Sequence, residues 1–450
     1  MKPNSVKLPH KSASSELKTT EPPKIDRVVV SMQQHIGAAC TPTVNAGDEV
    51  KIGQIIGDSE AFLSAPIHAP IAGNVTDILN VTAPNGRISP AVVIEVDKTI
   101  APSKTATIEI SEDITSNTFT GLYDEKISVP KIETREDFIK AVRDSGAVGL
   151  GGAGFPTHVK LGFDPSRSKA EVLVVNGAEC EPYITADAAE MSENPDGVVG
   201  GIRLIMKWCG IPRAVIGVEK DKDDAIFEVS KAIRRFPNIE LAILPAEYPQ
   251  GAEKILVRNA TGRIVKEGTL PIASGAVVIN VSTAAFLEKY FRTGMPLTSK
   301  RITIDGNIVN RPCNVIVPIG TQISAVMKFA NLRKDPDRIL LGGPMMGVSA
   351  YSVEQSIGKT TNAVLFFEDK SSGATKKREP TACIRCGRCV WACSMNLMPT
   401  ALEKAYIAKD KPELLKLHIL NCMECGACSF VCPAKRPLSE TNALARNYVK

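Results

Sequence analysis

Residues 26–100 alternate short apolar runs with turns punctuated by glycine and proline: RVVVSM, DEVKIGQIIG, APIAGNVTDIL and AVVIEV. Short β-type runs between such turns predict a small all-β domain. The pattern changes over residues 128–285, where helix-like segments (EDFIKAVRDSG, NPDGVVGGIRLIMKWCG, DDAIFEVSKAIRRFP) take turns with strand-like runs (EVLVVNGAE, RAVIGVEK, IELAILPAE). That alternation predicts a largely parallel α/β layer. Residues 286–350 turn β-rich again in SKRITIDGNIV and CNVIVPIG, followed by the helix-like TQISAVMKFA. The small, polar, charged stretch DKSSGATKKREPT, residues 368–380, reads as a linker. Residues 381–437 follow as a cysteine-rich domain, and 438–450 as a C-terminal tail. The first 25 residues are basic and lack the apolar core of a secretory signal, which predicts a disordered tail.

No apolar run approaches the ~18 residues of a membrane span. The longest, such as ASGAVVINV, are core strands by length. A soluble chain, or one docked on a membrane partner, is expected. The 450 residues suffice for several domains, and the balance of 44% hydrophobic to 23% charged residues is ordinary for globular proteins. The net charge of +5 is small for this length and makes no case for nucleic acid, which needs a concentrated basic face.

The chemistry is concentrated in the cysteines. Eight of the 12 fall in the last 70 residues, in two units, CIRCGRCVWAC and CMECGACSFVCP. Both have the spacing C-x2-C-x2-C-x3-C, and Pro433 closes the second. This is [4Fe–4S] spacing: three thiolates in a tight turn reach three corners of a cubane, and in two-cluster ferredoxins the fourth serves the other cluster. The expected ligand sets are therefore Cys383, Cys386, Cys389 and Cys432 for one cluster, and Cys422, Cys425, Cys428 and Cys393 for the other. The alternative is a pair of zinc sites, although zinc usually takes C-x2-C pairs some distance apart. The intervening TALEKAYIAKDKPELLKLHI is helical in composition, so a helical ferredoxin-like module is expected.

The stretch GLGGAGFPTHVKL, Gly149–Leu161, contains G-x-G-x-x-G. A Rossmann loop follows a strand and opens a helix. Here only Ala147 and Val148 separate the glycines from a helix-like segment, so the pattern matches and the context does not. Three more stretches follow strand-like runs: NGAECEPY, YPQGAEK and INVSTAAF. The first puts two acids and an amide where α/β sheets bind ligands.

These residues carry a resemblance. GGAGFPT-x-x-K, N-x-x-E-x-E-P, Y-x-x-G-x-E and N-V-x-T stand in this order over residues 145–290, which resembles the flavoprotein subunit of respiratory complex I. The resemblance implies an FMN- and NADH-binding domain. Gly151, Gly152 and Gly154 would let backbone approach the flavin and nucleotide. Lys160 would meet phosphate or the nicotinamide side, and Glu253 would lie by the nicotinamide. These two are the candidate catalytic residues. Asn176 and Glu179 would hold the flavin ring, and Asn280 and Thr283 the FMN phosphate. Glu181 and Tyr248, in the same motifs, join the cofactor-binding set. The flavin accepts the hydride, so no protein acid or base is demanded. Ala178 stands where complex I has Asp, Leu150 where it has Arg, and Ala252 where it has the first of two adjacent glutamates. The alternative is a set of tight turns in a ligand-free domain.

Near the N-terminus, GDEVKIGQIIG followed by APIAGNV resembles a biotinyl/lipoyl hammerhead, a barrel-sandwich hybrid. Counting back seven residues from Ala69, where carriers have their lysine, gives Phe62, so no swinging arm can attach and docking is the expected role. His35 and His68 in this region read as structural. Residues 293–328 resemble the soluble-ligand-binding β-grasp module. The order of hammerhead, flavin domain, β-grasp and two-cluster ferredoxin resembles the RnfC family, the peripheral component of Rnf ferredoxin:NAD⁺ oxidoreductases. Membership would imply two [4Fe–4S] clusters, FMN and NAD(H) as cofactors, and a peripheral place on the cytoplasmic face of the cell membrane. The partners would be the other subunits of the membrane-bound complex, with a ferredoxin-like subunit among them, and the whole complex would couple electron flow to Na⁺ or H⁺ translocation. Related readings are a cobalamin reductase, an electron-feeding subunit of an amino-acid reductase, or a relay scaffold without NADH binding. Cys40, Cys180, Cys209 and Cys313 share no spacing and read as small buried residues, with Cys180 inside the proposed flavin motif.

Overall fold

The β-branched run RVVVS forms the strand Arg27–Ser31, whose central valines are buried. It opens a four-stranded sheet with Ile88–Glu95, Gly73–Thr82 and Glu49–Val50, and a three-stranded sheet of Thr41–Pro42, Ile55–Asp58 and Ile67–His68 completes the domain. Val28, Val30, Met32, Ile56, Ile67, Val92 and Ile94 fill the space between. The computed structural model describes residues 4–8, 13–15, 17–83, 86–96, 118–120, 126–368 and 379–450. Most of the linker expected at 368–380 lies outside the described residues.

The α/β domain is built on four parallel strands in the order Ile239–Leu244, Ala214–Glu219, Val172–Gly177, Ala276–Asn280. Val172–Gly177, Ala214–Glu219 and Ala276–Asn280 are buried on both faces because helices cover both, whereas the edge strand Ile239–Leu244 exposes Glu240 and Ile243. Leu173 and Val175 pack towards Pro195–Cys209 and Val281–Thr293, while Val172 and Val174 pack towards Glu253–Thr261. The first two of these helices touch so closely that a Cβ at Gly201 would land on the carbonyl of Ala284. The strand order reverses between Val172–Gly177 and Ala276–Asn280, and Asn176 faces Asn280 across that switch. Ligands of open α/β sheets bind outside the carboxyl ends at such a point.

A five-stranded mixed sheet follows, in the order Cys313–Pro318, Ser299–Asp305, Ala363–Phe367, Arg338–Leu341, Val348–Ser349, with the helix Ile323–Ala330 against it. The module therefore extends past residue 350, the end that its sequence pattern predicts. The fully buried strand Ala363–Phe367 sits centrally, parallel to Ser299–Asp305. Residues 438–450 form a helix, Leu438–Val449, rather than a tail. Ala445 and Val449 of that helix share a core with Leu402 and Ala405 of Pro399–Ile407.

The composition of the N-terminal residues predicts disorder, yet the described ones lie on the body. Val6 pairs with Tyr248, Leu8 is buried beside Cys180, and Ser14 bonds to Thr185 at 2.9 Å. Apolar contacts of Val6 and Leu8 hold the start of this segment, and hydrogen bonds from Thr19 to Glu193 and from Thr20 to the Asn314 carbonyl hold it further on.

Candidate functional site: the switch point and two thiol cavities

At the switch point, Asn280 caps the helix Val281–Thr293, its Oδ1 accepting from the N–H groups of Ser282 (3.0 Å) and Thr283 (3.3 Å). Its amide nitrogen donates to Asp187 Oδ2 at 2.6 Å, and Ser282 Oγ donates to Asp187 Oδ1 at 2.5 Å. The glycine loop arches over this cap. Leu150 N–H donates to Thr283 Oγ1 at 2.9 Å, and a Cβ on Gly151 would lie 3.0 Å from the Asn280 amide nitrogen. Gly152 and Gly154 have φ of +109° and +64°, which L side chains rarely adopt. The hammerhead closes the far side, where Ile36 N–H donates to the Gly154 carbonyl at 2.9 Å. His35 and His68 pack beneath as neutral rings, held down to about 4 and about 3 by burial, while Phe62 projects with 78% exposure.

Asn176 donates to the Gly251 carbonyl at 2.9 Å and receives the Ala178 N–H at 3.1 Å, joining the first strand to the loop after the third. Lys160 and Glu253 form an ion pair of 2.9 Å with side chains 32% and 41% exposed. Glu179 is buried; its carboxylate accepts the N–H groups of Asp187 (2.9 Å) and Ala188 (3.2 Å) at the start of the helix Ala186–Glu193. Burial, then the nearby Asp187, pushes it up to about 7.

Glu181 and Tyr248 are placed elsewhere. Glu181 accepts the N–H groups of Met345 (3.0 Å) and Met346 (2.8 Å), so it secures the LLGGPMMG turn, and burial raises it to about 7. Tyr248 is 2% exposed and its hydroxyl donates to the Cys425 carbonyl at 2.6 Å. Both belong to the junction between the α/β domain and the cysteine domain. Cys180 lines the same junction, buried beside Tyr248 and accepting the Gly251 N–H at 3.4 Å.

In the cysteine domain the two units repeat in backbone conformation. Arg385 and Glu424, Gly387 and Gly426, and Asn396 and Lys435 all have positive φ at matching places. Cys383, Cys386, Cys389 and Cys432 line one cavity of about 180 Å³, and Cys393, Cys422, Cys425 and Cys428 line another of about 30 Å³. Each cavity thus draws three thiols from one unit and the fourth from the other. Among the described residues no three His, Cys, Asp or Glu side chains gather tightly enough for a single metal ion. Four thiols spread around a cavity suit a cubane, with an iron at each corner, better than one tetrahedral zinc. Burial, then neighbouring charges including the other thiols, raises Cys422 to about 11 and Cys428 further. Bound iron would favour the thiolate forms and so offset that cost.

The cavities are not equivalent. The one with Cys425 abuts the α/β domain, through Tyr248, through Lys254 Nζ to Asn421 Oδ1 (3.2 Å) and through His418 to Glu267 (2.6 Å). The other opens outward, with Cys383 and Cys386 exposed. Sequence reasoning missed Asp187, Lys300, Lys359 and Glu219, none of which sits in a spaced motif, and Ser282, which stands at the unspecified position of N-V-x-T. Glu219, at the carboxyl end of Ala214–Glu219, is fully buried with no strict hydrogen bond to either oxygen, and burial raises it to about 8.

Comparison with known proteins agrees with this layout. A model for the RnfC barrel sandwich hybrid domain matches residues 3–99, the Nuo51 FMN-binding domain matches 142–289, and a 4Fe-4S dicluster domain matches 382–435. Over 380 residues the chain is 39% identical to the C component of the proton-translocating ferredoxin:NAD(+) oxidoreductase complex of Clostridium ljungdahlii, covering 84% of this chain and 78% of that one. It is 38% identical over 384 residues to the Na(+)-translocating counterpart of Acetobacterium woodii, covering 84% and 80%. With the C component of the ion-translocating oxidoreductase complex of Rhodobacter capsulatus it shares 33% identity over 441 residues, covering 97% and 80%. An NAD+-reducing [NiFe]-hydrogenase in the H2-reduced state shares the fold at a TM-score of 0.50 and 18% identity, over 70% of this chain and 63% of that one. The fold and site define a modular redox protein with an FMN-binding-type domain and a 4Fe–4S dicluster domain. Within that class, the chain belongs to the RnfC family, a component of Rnf-type ion-translocating ferredoxin:NAD⁺ oxidoreductase complexes. Among the described residues no helix is long and apolar enough to cross a membrane.

Proposed function

We propose that this chain exchanges hydride between NAD(H) and FMN at the switch point and passes single electrons through two [4Fe–4S] clusters to the other subunits of the complex. Bound flavin would supply the conversion between two-electron and one-electron chemistry. The residues present fit it: a glycine loop open to solvent at residues 151–153, the Asn176 amide on the sheet edge, and the Lys160–Glu253 pair flanking the opening. Lys160 and Glu253 orient the nicotinamide side, Asn176 positions the ring, and the loop admits both ligands through bare backbone. The eight thiols hold the clusters in the crossed sets given above.

One observation carries the reading. The loop 248–251 touches both centres, accepting the Asn176 amide at Gly251 and donating from Tyr248 to Cys425. The Cys393/Cys422/Cys425/Cys428 ring is therefore the inner station, and the Cys383/Cys386/Cys389/Cys432 ring the outer one, facing partners on the cytoplasmic side of the membrane. The complex would couple that flow to Na⁺ or H⁺ movement.

The test is an anaerobic NADH titration of the reconstituted chain by visible absorbance, with flavin and iron assayed beforehand. About one FMN and about eight iron per chain, with flavin and then clusters bleaching, is the expected result. Iron without flavin, and no response to NADH, would reduce the chain to a cluster carrier.

A further inference from the structure

Two lysines from the mixed-sheet module lie buried beneath the glycine loop, Lys300 at 6% and Lys359 at 1% exposure. Lys300 Nζ donates to the Leu150 carbonyl at 2.5 Å and to the Lys359 carbonyl at 2.8 Å. Lys359 Nζ donates to the carbonyls of Gly146 and Pro66, both at 2.7 Å. The two side chains thus tie the loop and its approach to the hammerhead and to the mixed-sheet module. Among the described residues, neither has a carboxylate within ion-pair distance; burial lowers both to about 7, partly opposed by the field of Asp187 at Lys300 and of Cys40 and Asp58 at Lys359.

Two features give this arrangement a direction. A trans peptide points its C=O and N–H oppositely. Lys300 draws the Leu150 carbonyl inward, so the N–H of Gly151, in the same peptide unit, points away from the ammonium. Residues 151–153 are exposed, and among the described residues their three N–H groups have no partner. Successive free N–H groups in such a turn form an anion-binding nest. Buried ammonium groups bonded only to carbonyls are costly, and more so side by side. An anion on the outer face of the loop offsets that cost.

We infer that Lys300 and Lys359 are positioning residues that preset the glycine loop as a nest for a phosphate group of a bound nucleotide. They act through the loop: they orient its peptides and place positive charge behind it, without touching the ligand. The inference rests on the nucleotide-binding reading above. The phosphate is that of FMN or the pyrophosphate of NAD(H), and the same chemistry serves either.

The experiment measures dissociation constants on the full chain stripped of flavin, by fluorescence quenching for FMN and riboflavin and by calorimetry for ADP-ribose and adenosine. Wild type and Lys300→Gln are compared. The expected result is a loss of about tenfold or more for the phosphate-bearing member of one pair, about 1.4 kcal/mol, with its phosphate-free partner within about twofold. The pair that loses its discrimination identifies the phosphate. Lys300→Arg, which keeps the charge, should restore part of the preference. If both members of each pair weaken alike, or neither weakens, the lysines only support the fold and the inference is overturned. If wild type shows no preference for phosphate in either pair, the nucleotide reading itself fails. Should Lys300→Gln not fold, Lys359→Gln probes the same field from the second ammonium.

Discussion

The Tyr248 hydroxyl donates a 2.6 Å hydrogen bond to the Cys425 carbonyl, so a loop of the α/β sheet is bonded directly to a thiol-bearing turn of the cysteine domain. The tyrosine is buried and reaches across the junction between Cys180 and Ala427.

Tyr248→Phe should retain flavin and iron and lose about 1 kcal/mol of stability, because the part-buried Cys425 carbonyl loses its donor. Stopped-flow absorbance after mixing with NADH should show flavin bleaching at the normal rate and cluster bleaching slowed. Cluster bleaching that keeps pace with wild type would mean the junction does not carry the electrons.

Cys425→Ala and Cys386→Ala should each leave about four iron per chain. Their consequences should differ. Without Cys425 the inner station is missing, so NADH bleaches flavin and no iron. Without Cys386 the remaining cluster still bleaches, and transfer to an external acceptor stops. Identical behaviour of the two variants would refute the inner and outer order.

Lys160→Gln removes an ion pair whose partners are 32% and 41% exposed. Solvent screens such a pair, so unfolding should shift by less than about 1 kcal/mol. The NADH concentration for half-maximal flavin reduction should rise at least about tenfold, while flavin content is unchanged. An unchanged half-saturation would remove Lys160 from the nucleotide site.

Glu219 carries a pH signature. Burial raises its carboxyl to about 8, above its value in the unfolded chain. Between about pH 4.5 and 8 the unfolded chain has released this proton and the folded chain keeps it, so folding stability falls as pH rises. Glu219→Gln cannot titrate. Its melting temperature relative to wild type should therefore climb from pH 5 to pH 8, by an amount worth up to a few kcal/mol at about 1.4 per pH unit. A difference that stays constant with pH would show that the carboxyl titrates normally.

Local pattern was enough for the elements and for the chemical groups. EVLVV reads as a buried strand because a covered parallel strand must be apolar throughout, and RAVIGV and IELAIL read as strands by their alternation with helix-like segments. The doubled C-x2-C-x2-C-x3-C unit announced its chemistry because three thiols can meet only if the chain turns tightly between them. Pattern failed where burial depends on remote partners. AVLFF, residues 363–367, looks like any apolar run, yet it is a central strand because Ser299–Asp305 offers it a parallel edge. Glu181 and Tyr248 stand in the same short motifs as Asn176 and Gly251, and the fold turns Glu181 to the LLGGPMMG turn and Tyr248 to the cysteine domain.

By itself, then, the sequence determined which modules this protein has, that its cysteines suit iron–sulfur clusters, and that a glycine loop lies ahead of a parallel sheet. These properties depend on residue type and spacing along the chain. Tertiary structure alone decided that the Cys425 cavity abuts the sheet while Cys383 and Cys386 face outward. It also decided that Lys300 and Lys359 end beneath the glycine loop. Such relationships join residues far apart in the chain, through hydrogen bonds and buried charge that no local periodicity encodes.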